Sequence, residues 1–162
     1  MFLLSRPSEG GYVDDAGNTG STARAGDDEN NRARQGFLSF NISEIPQGAT
    51  VISAALDVSS GSRTGLPFGD LGAMRVYAHQ YGNMGPSDFS KTLPSKYLVR
   101  YQDRPIGSFT STALLTALQD AIDEDESRFQ IRLQFEDATD GDYNTDSYRI
   151  DAGGAGLVIT YQ

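Results

Sequence analysis

The densest group of chemically capable side chains is an acidic turn, Asp137-Ala138-Thr139-Asp140-Gly141-Asp142-Tyr143-Asn144-Thr145-Asp146. It presents side-chain oxygens at alternate positions, on Asp140, Asp142, Asn144 and Asp146. A hard cation such as calcium gathers about six to eight oxygen ligands, so this spacing suggests a calcium-binding loop. A second acidic turn, Asp27-Asp28-Glu29, could approach the first in a folded domain, with Asp27 and Asp28 adding ligands. A structural calcium is the one cofactor these residues suggest, and no cofactor is required by any chemistry visible in the chain.

The first turn resembles an EF-hand loop as far as an acid at the twelfth place, Asp151. Thr145 stands where that loop carries glycine, Asp151 is shorter than the usual Glu, and no flanking helices are expected, so a hydrated hairpin turn is the competing reading. Catalysis has fewer parts. The chain has no Cys and a single histidine, His79, which excludes thiolate nucleophiles, sulfur-ligated zinc and a histidine-based triad with a serine-elbow motif. His79 is expected on the polar side of a strand. No phosphate-cradling or dinucleotide-binding glycine motif is present, so the chain is read as a non-enzyme.

Two further groups could bind partners. Tyr77, Tyr81, Tyr97 and Tyr101 could offer flat faces to a sugar, although Trp is absent, and strand tyrosines as readily finish a core edge or a subunit contact. Phe2, Leu3 and Leu4 form an apolar terminus that would serve as an anchor on a protein surface or as an ordinary first strand. As an anchor within an N-terminal arm of residues 1–10, it should be removable with little effect on melting. The run Asp123-Glu124-Asp125-Glu126 lies at the C-terminal end of a predicted helix, where the macrodipole disfavours anions, so a basic partner surface would suit it.

The formal net charge is -9, from 13 basic and 22 acidic residues. That opposes the phosphate backbone on which nucleic-acid affinity rests, so DNA and RNA are not expected partners. The apolar start Met1-Phe2-Leu3-Leu4 breaks at Ser5-Arg6-Pro7, too short for an export signal, and no stretch reaches the length of a membrane span. A soluble protein made without export is expected.

The elements that must position these residues read as strands. Gly10 to Asp28 suggests one or two short strands between turns. Gly36 to Ile42 is apolar on both faces, as in a central strand covered from two sides. Thr50 to Ser59 is rich in β-branched and small residues, Gly61 to Asp70 reads as a loop, and Leu71 to Tyr81 alternates. Short strands are predicted at 97–101 and 106–109. From Ser111 the period changes: Leu114, Leu115, Leu118, Ala121 and Ile122 make one face of a helix capped by Ser111 or Thr112. Phe129, Ile131, Leu133 and Phe135 then alternate with Gln130, Arg132 and Gln134, the plainest strand in the chain. Strands at 147–151 and 156–161 complete a single all-β domain over residues 1–162, a two-sheet antiparallel jelly roll or β-sandwich with one short helix.

The run Gly26-Asp27-Asp28-Glu29-Asn30-Asn31-Arg32, followed by Phe37-Leu38-Ser39-Phe40-Asn41-Ile42-Ser43-Glu44-Ile45-Pro46-Gln47-Gly48-Ala49-Thr50-Val51, resembles the DNRLRE-type domains of bacterial surface proteins. The late strands at 129–135 and 157–161 extend that resemblance over most of the chain. It implies a carbohydrate-binding-module-like jelly roll, and hence a polysaccharide-binding or adhesive module at a cell surface or outside the cell. A domain-length chain that starts at Met1, without export signal or catalytic residues, suggests instead a structural protein made in a host cytoplasm. The expectation is a virion component, such as a phage capsid decoration (cement) protein or a fibre component at the virion surface. It would grip a repeating protein lattice or itself, in the manner of trimeric jelly rolls.

Overall fold

The computed structural model describes residues 1–162. Its strands are β1 (Phe2–Leu4), β2 (Gly11–Asp14), β3 (Thr19–Gly20), β4 (Ala23–Gly26), β5 (Arg34–Asn41), β6 (Val51–Asp57), β7 (Ser62–Thr64), β8 (Met74–Ala78), β9 (Val99–Tyr101), β10 (Ser108–Phe109), β11 (Arg128–Phe135), β12 (Ser147–Ile150) and β13 (Gly156–Tyr161). One helical turn, α1 (Pro67–Asp70), and one full helix, α2 (Thr112–Asp123), interrupt them. All strand pairs are antiparallel. They form a four-stranded sheet, β1-β13-β6-β10, and a nine-stranded sheet, β7-β12-β4-β5-β11-β8-β9, with β2 joining β5 to β3. The protein is an all-β sandwich. No helix is long and apolar enough to cross a membrane.

Register explains the core. Opposed residues of antiparallel strands share a face, so Phe129 meets Phe40, Ile131 meets Leu38, Leu133 meets Val76 and Phe135 meets Met74. All eight are buried between the sheets, with Leu56, Leu157 and Ile159 from the smaller one. Each fully buried side chain of this kind stabilises the fold by about 1.5–3 kcal/mol. Helix α2 closes the core with Leu114, Leu118, Ala121 and Ile122. Its start is set by Ser111, whose hydroxyl accepts from Leu114 N, and Gln119 ties it to β6 by accepting from Val51 N and donating to Ala49 O.

The opposite face of the large sheet departs from the expected alternation. Gln130, Arg132 and Gln134 are buried as well, and residues 81–91 fold back over Gln130, Gln35 and Phe37. Gln130 Oε1 accepts from Tyr81 N and Gly82 N, Gln35 accepts from Ser90 N, and Phe37 packs with Val13, Tyr81, Met84 and Phe89. The two-sided cover expected for β5 is present. His79 is half-buried rather than on a polar surface, edge-on to Phe37 and Tyr81, and burial followed by the charge of Arg132 lowers its pKa.

Three local readings change. Residues 61–70 are not a plain loop: β7 pairs with β12, and Pro67 starts α1. The segment from Gly10 to Asp28 holds three strands, β2, β3 and β4, rather than one or two. Residues 1–10 are not a free arm, since β1 pairs with β13, the terminal ammonium donates to Ile159 O, and Ser5 N and Arg6 N donate to Ala155 O and Ser39 O. Deleting residues 1–7 would remove this sheet pairing and should lower melting, unlike the loss of a detachable anchor.

Candidate functional site

The acidic turns meet where β4, β12 and β7 end together. Ser147 is opposite Gly26 and Thr64, so the residue before Ser147, Asp146, falls between the chain leaving β4 and the chain leaving β7. Asp27 N donates to Asp146 O at 2.8 Å, and Asp146 N donates to Asp27 Oδ1 at 3.1 Å. On the other side Leu66 N donates to Asp146 Oδ1 at 2.5 Å. Two glycines make this seam passable. Gly26 (φ +130°) and Gly65 (φ +67°) have positive φ, and a Cβ on them would stand 1.9 Å from Asp146 O and 2.1 Å from Asp146 Oδ1.

The turn out of β7 leads into α1, whose last residue, Asp70, points back at the same place. Carboxylate oxygens of Asp70, Asp140 and Asp146 lie within 4.8 Å of one another. Asp146 is buried, whereas Asp70 and Asp140 are exposed. Asp27 is fully buried, and its Oδ2 has no hydrogen-bond partner. None of the protein's ion pairs reaches these four groups.

The electrostatics follow from that arrangement. Burial raises the pKa of Asp27, and the charges of Asp146 and Asp140 raise it further, against partial relief from Thr139 and the Asp146 amide. Desolvation and then Asp146, Asp140 and Asp142 raise the pKa of Asp70. Chemically this is a set of hard oxygens with surplus negative charge and no internal cation.

The sequence-predicted ligands divide in two. Asp140 and Asp146 come together with Asp70, whereas Asp27 reaches the backbone amide of Asp146. Asp28 does not join them: its Oδ2 pairs with Arg34 at 2.9 Å, and its Oδ1 accepts from Asn30 N and Arg32 N. Asp142 accepts both the backbone N and Nδ2 of Asn144, which lowers its pKa and closes a local turn. Asp151 is exposed beside Arg149, so the EF-hand register fails, because β12 begins at Ser147 and carries the chain away. Asp70 went unnoticed in the sequence; Pro67 and Gly69 marked its turn, but its proximity depends on β7 pairing with β12.

The tyrosines form no exposed platform. Tyr77 and Tyr81 are 2% and 8% exposed, the first under the Arg132 guanidinium and the second donating its hydroxyl to Glu9 O. Tyr101 is half-buried against Phe109, and Tyr97 carries Arg75 over its ring. A group of exposed apolar side chains lies elsewhere. On the outer face of the small sheet Phe2 and Leu4 are 63% and 55% exposed, with Val158 opposite Phe2 at 46%, whereas Leu3 turns inward against the core. The free edge of β1 borders this patch. On the large sheet's other side, an open polar groove of about 740 Å³ is lined by Glu9, Gln80, Asn83, Glu126, Arg128 and Gln130. Compared with models of known protein families and with curated proteins, the chain matches none.

Proposed function

We propose that this chain is a non-catalytic assembly protein that binds a repeating protein lattice, as a decoration or cement protein of a virion such as a phage capsid, or as part of a fibre. The observation that carries the reading is the exposed apolar face of the small sheet, Phe2, Leu4 and Val158, bordered by an open strand edge. Apolar side chains next to unpaired backbone N–H and C=O groups suit a protein surface, which can bury the one and extend the sheet with the other. The same face would serve contacts between copies, as in a trimer on a capsid. A net charge of -9 would keep such a protein dispersed before it meets the lattice at the virion surface.

A second reading, a carbohydrate-binding module at a cell surface, draws on the polar groove. Its amides, carboxylates and Arg128 are groups that pair with sugar hydroxyls, although Tyr81 turns its ring into the sheet cover rather than into the groove. Two measurements separate the readings. Solution mass should show an oligomer, and a glycan array should stay blank; a monomer that binds a polysaccharide would reverse the order. Flanking genes should encode capsid or portal proteins, whereas a secreted multidomain parent would favour the sugar reading.

A further inference from the structure

We propose that Arg132, on the outer face of the large sheet, binds the oxyanion of a small ligand, a carboxylate or phosphate group. The other arginines of β8, β9 and β11 are matched by carboxylates: Arg128 pairs with Glu9 at 2.7 Å, and Arg75 and Arg100 pair with Glu136 at 2.8 Å. Arg132 lies between Gln130 and Gln134 on its strand and belongs to no ion pair. It is 3% exposed, and its Nε and Nη2 have no hydrogen-bond partner. Those two nitrogens form one edge of the guanidinium, the edge that holds a carboxylate or phosphate through two parallel bonds. The Tyr77 ring, 5.1 Å from the guanidinium carbon, faces the charge but does not neutralise it. A buried cation without a counter-charge is strongly disfavoured, and a bound anion would compensate it.

A second, independent feature is the path of residues 82–97, the long connection between β8 and β9. It leaves over Gln130, whose amide oxygen accepts from Tyr81 N and Gly82 N, and packs Met84 and Phe89 against Phe37. It then reaches Gln35 through Ser90 N and returns past Arg75, which lies over the Tyr97 ring, to Leu98 N on Val76 O. Register puts Phe37 and Tyr77 on either side of Arg132, so the connection runs around this arginine. Its one acid, Asp88, gives Oδ2 to Gly85 N, whereas it carries both lysines of the chain, Lys91 and Lys96. Cations are therefore gathered here in a protein of net charge -9. None of the hydrogen bonds of residues 91–97 reaches the sheet, so this stretch can give way to a ligand. His79 stands beside the site, half-buried, with Nδ1 unpartnered; burial and then the charge of Arg132 lower its pKa, against Asp88. An anion on Arg132 would cancel the second of those causes. The assignment is independent of the lattice-binding reading, because that reading rests on the outer face of the other sheet.

The test uses the full chain in Tris chloride, titrated with sodium phosphate, sodium acetate and sodium chloride at matched ionic strength. An oxyanion at tenfold excess over its Kd should raise Tm by roughly 3–6 °C beyond chloride. A rise with phosphate alone would make the ligand group a phosphate, and a rise with acetate alone a carboxylate. His79 is the chain's single histidine, so its proton resonances follow the site without further assignment, and its titration should move upward when the anion is bound. Arg132→Met keeps the aliphatic stem against Tyr77 and needs no counter-charge, so it should fold. It should lose both the rise in Tm beyond chloride and the response of His79 to the anion. Should that variant not fold, the His79 titration of the parent decides alone. The proposal is overturned if neither oxyanion exceeds chloride, if the rise survives in Arg132→Met, or if His79 titrates at the same pH with and without the anion.

Discussion

Glu136 and Asp27 are both carboxylates at strand ends of the large sheet, and their surroundings are opposite. Glu136 follows β11 and receives Arg75 Nη2 and Arg100 Nε, each at 2.8 Å, together with Ala73 N at 3.3 Å. The Arg100 hydrogen bond, more than any other contact, holds its pKa down to about 2. Asp27 follows β4 and has one amide donor, no cation, neighbouring acids and a raised pKa. The first carboxylate is complete within the chain and knits β8, β9 and β11. The second carries a burial cost that Thr139 and the Asp146 amide offset only in part.

The largest effect is expected where a complete site is broken. Glu136→Ala strands two arginines beside each other and frees the Ala73 amide. Urea unfolding should show a loss of about 2–3 kcal/mol, the range for charge-assisted bonds in a partly solvated setting. An unchanged midpoint would mean that solvent screens these pairs and that the two carboxylates differ less than their contacts suggest.

A change of opposite sign is expected at the incomplete site. Asp27→Asn keeps an oxygen for the Asp146 amide and removes a buried charge that faces other acids. In EDTA the variant should gain about 1–2 kcal/mol over the parent. A loss of stability in EDTA would show that the Asp27 charge is already compensated.

How much of this was legible from residues alone follows from the range of the interactions. The alternation at 128–135 and the helical period at 112–123 are local, and they fixed the core faces correctly. The burial of Gln130 and Phe37 is not local, since it depends on residues 81–91 crossing the sheet, and nothing in a segment rich in Gly, Asn, Ser and Pro announces where it will lie. Likewise Asp140 and Asp146 stood out within one acidic turn. Asp70 joined them only through β7, whose Ser62-Arg63-Thr64 has no apolar pattern to betray a strand.

pH sharpens the same contrast with a smaller effect. For Asp27 and Asp70 the folded pKa is raised, so the folded state binds protons first and the metal-free protein gains stability as pH falls from neutral toward the ordinary carboxylate range. Glu136 runs the other way: its contribution is present above its unfolded value and is lost as pH falls from about 4.5 toward about 2. The Asp27→Asn variant should therefore lose its advantage over the parent in EDTA on mild acidification, while both drop steeply in stronger acid as Glu136, Glu9 and Asp14 are protonated. An advantage that does not change with pH would place the compensation of Asp27 inside the chain.

The smallest effect on stability is expected where groups are unsatisfied by exposure rather than by burial. Leu4 and Val158 are about half exposed on the outer face of the small sheet, on neighbouring strands β1 and β13. Leu4→Ser combined with Val158→Thr keeps the backbone pairing and a β-branched side chain in β13, so melting should move by no more than about 0.5 kcal/mol for each change. Association has no such insulation. If this face is the contact surface, the double variant should sediment as a monomer where the parent sediments as an oligomer. An oligomer that survives unchanged would move the contact to another face of the molecule.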